Sequence, residues 1–241
     1  SAGRTAKGMP VVNLLNLSEN EKVRALVGIT PDEDLEHKYL CFVTRNGLIK
    51  RVALPEFISI RQTGKIAVTL REDDELFGVQ VTSGEDEIII AGDNGKAIRF
   101  NENDVRPMGR NASGVKGFDT DGGKVVGIAT SASGQYILSI TENGYGKKTL
   151  IDEYRKTNRG GKGVATINIT EKNGKLMCLK AVNGDEDALL MSDDGTIIRI
   201  SLDTVAIYGR NTQGVKLINV DNSKLAAVTV VEHEEEETNG I

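Results

Sequence analysis

The chain has 241 residues, 39% of them hydrophobic, enough apolar material for one sizeable core or two modest ones. Its 30 Lys+Arg and 35 Asp+Glu leave a formal net charge of −5, which by itself argues against a polyanionic partner. No apolar run approaches the roughly 18 residues of a membrane helix and no basic-then-apolar leader opens the chain, so the expectation is a globular cytoplasmic protein with no membrane partner.

Glycine is abundant, at 27 residues against 4 Pro and no Trp, and it recurs in fixed phrases. In chain order, a basic phrase Arg4-Thr5-Ala6-Lys7-Gly8 comes first, then a polar-to-apolar step at Lys22-Val23, then Phe42-Val43-Thr44-Arg45-Asn46-Gly47-Leu48-Ile49-Lys50. The same three markers follow as Arg61-Gln62-Thr63-Gly64-Lys65, Glu75-Leu76 and Asp93-Asn94-Gly95, and again as Arg110-Asn111-Ala112-Ser113-Gly114, Lys124-Val125 and Glu142-Asn143-Gly144. They recur once more as Arg159-Gly160-Gly161-Lys162-Gly163, Lys175-Leu176 and Asp193-Asp194-Gly195, and the series ends with Arg210-Asn211-Thr212-Gln213-Gly214 and Lys224-Leu225. The hairpin glycines are spaced by 48, 49 and 51 residues and the phrase arginines by 57, 49, 49 and 51.

Asn-Gly or Asp-Gly between apolar runs predicts a hairpin, read here as a type I′ turn. The alternating segments Ile66–Leu70 and Val164–Ile169 predict half-buried strands, whereas Ile88-Ile89-Ile90 and Tyr136-Ile137-Leu138 do not alternate and predict burial on both faces. Each repeat thus predicts about four strands, and such units repeated along a chain predict an all-β, propeller-like fold. Only Leu54–Phe57 and Leu202–Val205 could form single helical turns. The expected organisation is one domain over residues 1–231, with repeats starting near 4, 61, 110, 159 and 210. It predicts about four complete blades plus partial repeats at the ends, because the chain starts and stops mid-repeat. The Glu-rich residues 232–241 predict an acidic disordered tail.

Charge follows the same period. Residues 1–18, 57–71, 105–118, 154–170 and 204–220 contain no Asp or Glu and hold 14 Lys/Arg, so all 35 acids fall elsewhere. One basic phrase per repeat becomes a belt along the rim of a propeller, suited to phosphate contacts with double-stranded DNA. The candidate DNA-binding residues are Arg4, Lys7, Arg61, Lys65, Arg110, Lys116, Arg155, Lys156, Arg159, Lys162, Arg210 and Lys216, with Lys50, Arg51, Lys147 and Lys148 in a second tier. Reversing Arg110, Arg159 and Arg210 together is expected to weaken binding without unfolding the domain.

Catalytic patterns fail on inspection. His37 and His233 cannot build a triad or a zinc site, and Cys41 and Cys178 read as core thiols. Gly109–Gly114 and Gly209–Gly214 have phosphate-loop spacing, but Val115 and Val215 stand where Lys is required. Asp119-Thr120-Asp121-Gly122 opens like a calcium loop but lacks the later carboxylates and reads as a turn. No catalytic residue, metal site or cofactor is expected.

The segments Arg4–Leu17, Thr82–Glu87, Glu142–Lys148 and Gly209–Val215 together resemble the C-terminal domain of bacterial DNA gyrase A, from the first residues to about Val231. The resemblance implies a β-pinwheel, a disc whose blades exchange strands. It implies DNA wrapping that lets DNA gyrase, a type IIA topoisomerase, introduce negative supercoils; the rest of gyrase A as a homodimer and gyrase B would be partners in the nucleoid. ATP and Mg would act on other domains. The family's Gln-Arg-Arg-Gly-Gly-Lys-Gly box is matched by Thr157-Asn158-Arg159-Gly160-Gly161-Lys162-Gly163 only in its last five residues, and in a later repeat than the first blade, so weak binding is expected. The alternatives are the equivalent domain of topoisomerase IV and a protein-binding propeller scaffold.

Overall fold

Each Asn/Asp-Gly phrase forms the tip of an antiparallel hairpin in the computed structural model, which describes residues 24–29, 35–58, 66–220 and 222–233. The hairpins are β1 Tyr39–Thr44 with β2 Leu48–Ala53, β4 Glu87–Gly92 with β5 Lys96–Asn101, β8 Tyr136–Thr141 with β9 Tyr145–Leu150, and β12 Asp187–Ser192 with β13 Ile197–Ser201. Their tips are not type I′ turns. At the first, Gly47 N–H donates to Thr44 O (3.1 Å), and of the turn residues only Gly47 has positive φ (+85°). That is a type I turn followed by a left-handed glycine, which needs one residue at positive φ instead of two.

A third strand flanks the other side of each hairpin's first strand: β3 Leu76–Thr82 on β1, β7 Val125–Thr130 on β4, β11 Leu176–Val182 on β8, and β15 Leu225–Val231 on β12. The fourth strand comes from farther along the chain. β6 Val115–Lys116 pairs with β2, β10 Val164–Ala165 with β5, and β14 Val215–Lys216 with β9, so each is supplied from beyond the next hairpin. The blades therefore exchange strands as the pinwheel reading requires. The expected half-buried strand after each basic phrase shrinks to these two residues. Beyond them the chain bends, and Thr166 N–H and Ile167 N–H both donate to Gly95 O (2.8 and 3.3 Å); Gly117 and Phe118 treat Gly47 O alike. Residues 66–70 form no strand, there being no hairpin edge for them among the described residues; Thr69 N–H instead donates to Ala112 O (3.4 Å). Among the described residues the fourth blade, β13-β12-β15, has three strands.

The hydrophobic core lies between blades. Ile88 and Ile90 face Cys41, Val43, Ile49 and Phe118, while Ile89 and Ala91 face Ile137, Leu176 and Leu179. All three isoleucines are fully buried, which is why Ile88-Ile89-Ile90 does not alternate. Leu138 and Ile140 meet Ala188, Leu190 and Ile218 in the next interface. Third strands lie side by side where blades meet; β7 and β11 are joined by a parallel bridge between Gly127 and Leu179, which merges two blades into one eight-stranded sheet. A Cβ on Gly127 would stand 2.5 Å from that of Leu179, so this approach requires glycine. Among the described residues helix is confined to α1 Pro55–Ile58 and single 310 turns; Leu202–Thr204 is where the sequence predicts one, whereas Glu102–Asp104, Ser131–Ser133 and Ile151–Glu153 are not predicted.

Candidate nucleic-acid interface

The basic phrases that begin at Arg110, Arg159 and Arg210 fold as loops that dock onto the second strand of the preceding blade. Their closing glycine makes the approach possible: at Gly163 (φ +70°) an added Cβ would lie 2.2 Å from Ala97 O. Their arginines are clamps. Arg159 donates from Nε to Asp104 O (2.9 Å) and from Nη1 to Lys116 O (2.8 Å). Arg210 repeats the pattern on Glu153 O (2.8 Å) and Ala165 O (2.9 Å), and Arg110 Nη1 donates to Ile66 O at 3.2 Å. Each guanidinium thus reaches back to the segment supplied by the previous repeat, and all three residues are half-buried. This corrects the expectation that their charge could be reversed without structural penalty, because a carboxylate placed there would face backbone carbonyls.

The second-tier residues point inward. Lys50, Arg51, Lys147 and Lys148 are all buried, with Lys147 fully so. Lys147 Nζ donates to Gly209 O (2.5 Å), Arg210 O (2.8 Å) and Thr212 Oγ1 (3.0 Å), and burial pulls its pKa down to about 8. Lys50 likewise donates to Ala67 O (2.8 Å) and to Arg110 O. Arg51 pairs with Glu102 (3.1 Å) and Asn103 (2.9 Å) and lies over the Tyr39 ring, and Lys148 lies over Tyr136. These cations fix the phrase loops and the blade interior from beneath. The sequence shows their charge but not that their strand faces another loop.

The first-tier side chains other than the three clamp arginines fall into two groups. Lys116, Arg155, Lys156, Lys162 and Lys216 are exposed; Arg4, Lys7, Arg61 and Lys65 lie outside the described residues. Several exposed bases have acidic partners contributed by the intervening segments. Lys162 meets Asp121 (2.6 Å), Lys116 meets Asp119 (3.3 Å) and Lys156 meets Glu87. Hydrogen bonding to Asp121 raises the Lys162 pKa, and a backbone hydrogen bond from Asp121 followed by the Lys116 contact lowers that of Asp119. Arg106 was not singled out by sequence, yet it is exposed and stands in the position that Arg155 occupies one repeat later. Val105 and Tyr154, both buried, precede the two and mark the register.

Cys41 and Cys178 are buried free thiols, with pKa values pushed up by burial to about 12 and about 11. Tyr154 is buried with its hydroxyl on Thr166 and its pKa raised to about 12, as suits a core residue. Asp119–Gly122 forms a turn with Asp121 (φ +52°) and Gly122 (φ +84°) left-handed, and among the described residues no group of acids, His and Cys could hold a metal. His233 is exposed, and its Nδ1 lies 2.8 Å from Asp187 Oδ1.

Strand exchange between repeats and a phrase loop docked on each of the first three blades are the marks of this architecture. The family model for the DNA gyrase C-terminal domain, a β-propeller, matches residues 1–28, 38–83, 86–132, 135–183 and 186–232. The chain belongs to this family. DNA gyrase A of Ureaplasma parvum is 45% identical over 222 residues, covering 92% of this chain and 26% of that protein. DNA gyrase A of Staphylococcus aureus (strain NCTC 8325) is 42% identical over 241 residues, covering 98% of this chain and 27% of its own length. The chain thus spans about a quarter of the relatives it matches. A solved DNA gyrase A C-terminal domain superposes with TM-score 0.80 at 26% identity, covering 93% of this chain and 75% of that one. The C-terminal domain of DNA topoisomerase IV superposes with TM-score 0.84 at 25% identity over 93% of this chain and 71% of that one. Family and pinwheel fold are as the sequence resemblance implies. Among the described residues, no helix is long and apolar enough to cross a membrane.

Proposed function

We propose that this chain binds duplex DNA without sequence preference along its phrase loops and bends it, serving gyrase as the part that wraps DNA for negative supercoiling. The observation that carries this reading is the recurrence of exposed bases, Arg106, Lys116, Arg155, Lys156, Lys162 and Lys216, on or directly beside phrase loops that are anchored in the same way from blade to blade. Loops held from beneath by Lys50 and Lys147 present cations at fixed intervals, and phosphate contacts of that kind position a duplex without reading its bases. Any preference would come from the ease of bending. The chemistry of strand passage, with ATP and Mg, belongs to the remainder of gyrase A as a homodimer and to gyrase B in the nucleoid. This stretch contributes binding and no catalysis.

Relatives at 42–45% identity named as DNA gyrase favour gyrase over topoisomerase IV, which the fold alone does not separate. The test is affinity for a labelled duplex of about 40 base pairs across a salt series, together with the linking number of a plasmid relaxed in the presence of the chain. Steep loss of affinity with salt and a shifted linking number are expected from counterion release and wrapping. Salt-insensitive binding, or none, would return the chain to the scaffold reading.

A further inference from the structure

The rim is not uniformly charged, because acidic residues of the intervening segments cancel its cations at some blades and not at others. β6 and β14 occupy the same position in the first and third blades, and Lys116 and Lys216 the same place on them. Three residues on, Lys116 finds Asp119 Oδ2 at 3.3 Å, whereas Lys216 finds Asn219 Oδ1 at 3.1 Å. The contact is kept and the negative charge is gone. At β10 the residue in that place is the uncharged Ala165, and the lysines beside it, Lys96 and Lys162, share Asp121 (3.6 and 2.6 Å).

Beside Lys216 lies a notch of about 200 Å³ lined by Asn143, Tyr145, Lys172, Lys216, Asn219 and Val220. Lys172 Nζ lies 5.4 Å and Lys216 Nζ 5.9 Å from the centroid of the Tyr145 ring. The ring's π-electrons attract both ammonium groups, and both lysines line the same small depression. Among the described residues neither lysine has a carboxylate partner. Asn143 donates from its side-chain amide to Lys172 O (3.2 Å), which ties the lysine's loop to the hairpin tip. Two cations against one aromatic ring, with Asn219 where the first blade carries Asp119, form a site for a doubly contacted oxyanion.

The geometry points to this notch as an anchor for a phosphate of the DNA backbone, held by Lys172 and Lys216 over Tyr145, so that the blade of β8, β9, β11 and β14 grips DNA more tightly than its neighbours. This rests on the DNA-binding reading and makes the arc asymmetric. Lys172 lies outside the basic phrases, beside Glu171, and so carries no sequence signal.

The test compares the chain with Lys172→Gln/Lys216→Gln and with Asn219→Asp, which installs the neutralising pair that Lys116 already has. Binding to a duplex of about 40 base pairs is measured across a salt series, and circular dichroism confirms folding. The double variant is expected to bind roughly tenfold more weakly at about 0.1 M salt and to lower the slope of log affinity against log salt by about 1.8, two contacts at about 0.9 each. Asn219→Asp is expected to move both in the same direction, and Lys162→Gln, whose charge Asp121 already offsets, to do less. Unchanged slope and affinity in both notch variants, or a Lys162→Gln effect equal to theirs, overturns the proposal while the unaltered chain still binds. Absence of salt-sensitive binding by the unaltered chain overturns the DNA-binding reading itself, and the anchor with it.

Discussion

Arg159→Gln separates the structural from the electrostatic role of a basic phrase. The guanidinium makes two charge-assisted bonds to backbone carbonyls, at 2.9 and 2.8 Å, from a half-buried position. Bonds involving a charged group contribute about 1.5–3 kcal/mol each when buried, and partial exposure reduces this to about 1 kcal/mol each, or about 2 for the pair. For a domain of this size about 2 kcal/mol lowers Tm by roughly 4–8 °C. Arg159→Lys keeps the charge but lacks the forked geometry, and is expected to lose most of the same stability. Both variants are to be melted by circular dichroism and then titrated with labelled duplex well below their Tm. Loss of stability in both, with Arg159→Lys retaining DNA affinity, is the expected pattern. An Arg159→Gln protein with unchanged Tm and sharply weaker DNA binding would refute the clamp and restore the arginine as a phosphate contact. The triple substitution of Arg110, Arg159 and Arg210 would remove enough of these bonds to approach the roughly 5–15 kcal/mol that holds a domain together, so it cannot report on DNA binding alone.

Gly95→Ala and Gly195→Ala occupy the same turn position at φ +77° and +89°, but an added Cβ at Gly95 lies 2.7 Å from Ile167 O and at Gly195 meets nothing within 4 Å. Denaturant melts should show about 1–2 kcal/mol lost at Gly195 from backbone strain and clearly more at Gly95; equal losses would contradict the role of the donated segment. The Asp187 contact raises the His233 pKa above its ordinary 6.5, so its stabilisation is fully present below that value and fades as pH rises through the raised one. His233→Ala should therefore narrow its stability gap to the unaltered chain as pH climbs from about 5.5 to 8.5, and a constant gap would refute the linkage. Truncation after His233 should raise DNA affinity at low salt if the acidic tail competes for the basic loops, without lowering Tm. Truncation after Val231 should also lower Tm, because it removes Glu232 O, which accepts from Arg199 at 3.2 Å, and the His233 contact.

The hairpins were legible because their determinants are local. An amide or acid followed by glycine turns the chain wherever it stands, and Ile88-Ile89-Ile90 could only be a strand covered on both sides. Period was legible for the same reason: three markers, each set by a few adjacent residues, recurred together. The residues after each basic phrase were not. Val164–Ile169 alternates like a full strand, but the bend that aims two N–H groups at Gly95 O leaves only Val164 and Ala165 to pair with β5.

The sequence by itself determined the all-β class, the repeat and the concentration of bases into phrases, since composition and short-range turn chemistry suffice for these. Only the tertiary structure decided what each base does. Lys50 and Lys147 look no different from Lys116 and Lys162 along the chain, yet the first pair is enclosed by carbonyls of a loop some sixty residues away and the second faces solvent. Charge is carried by one residue, whereas its partner is assigned by which strand lies next to which. In a fold that exchanges strands between blades, that neighbour comes from another repeat.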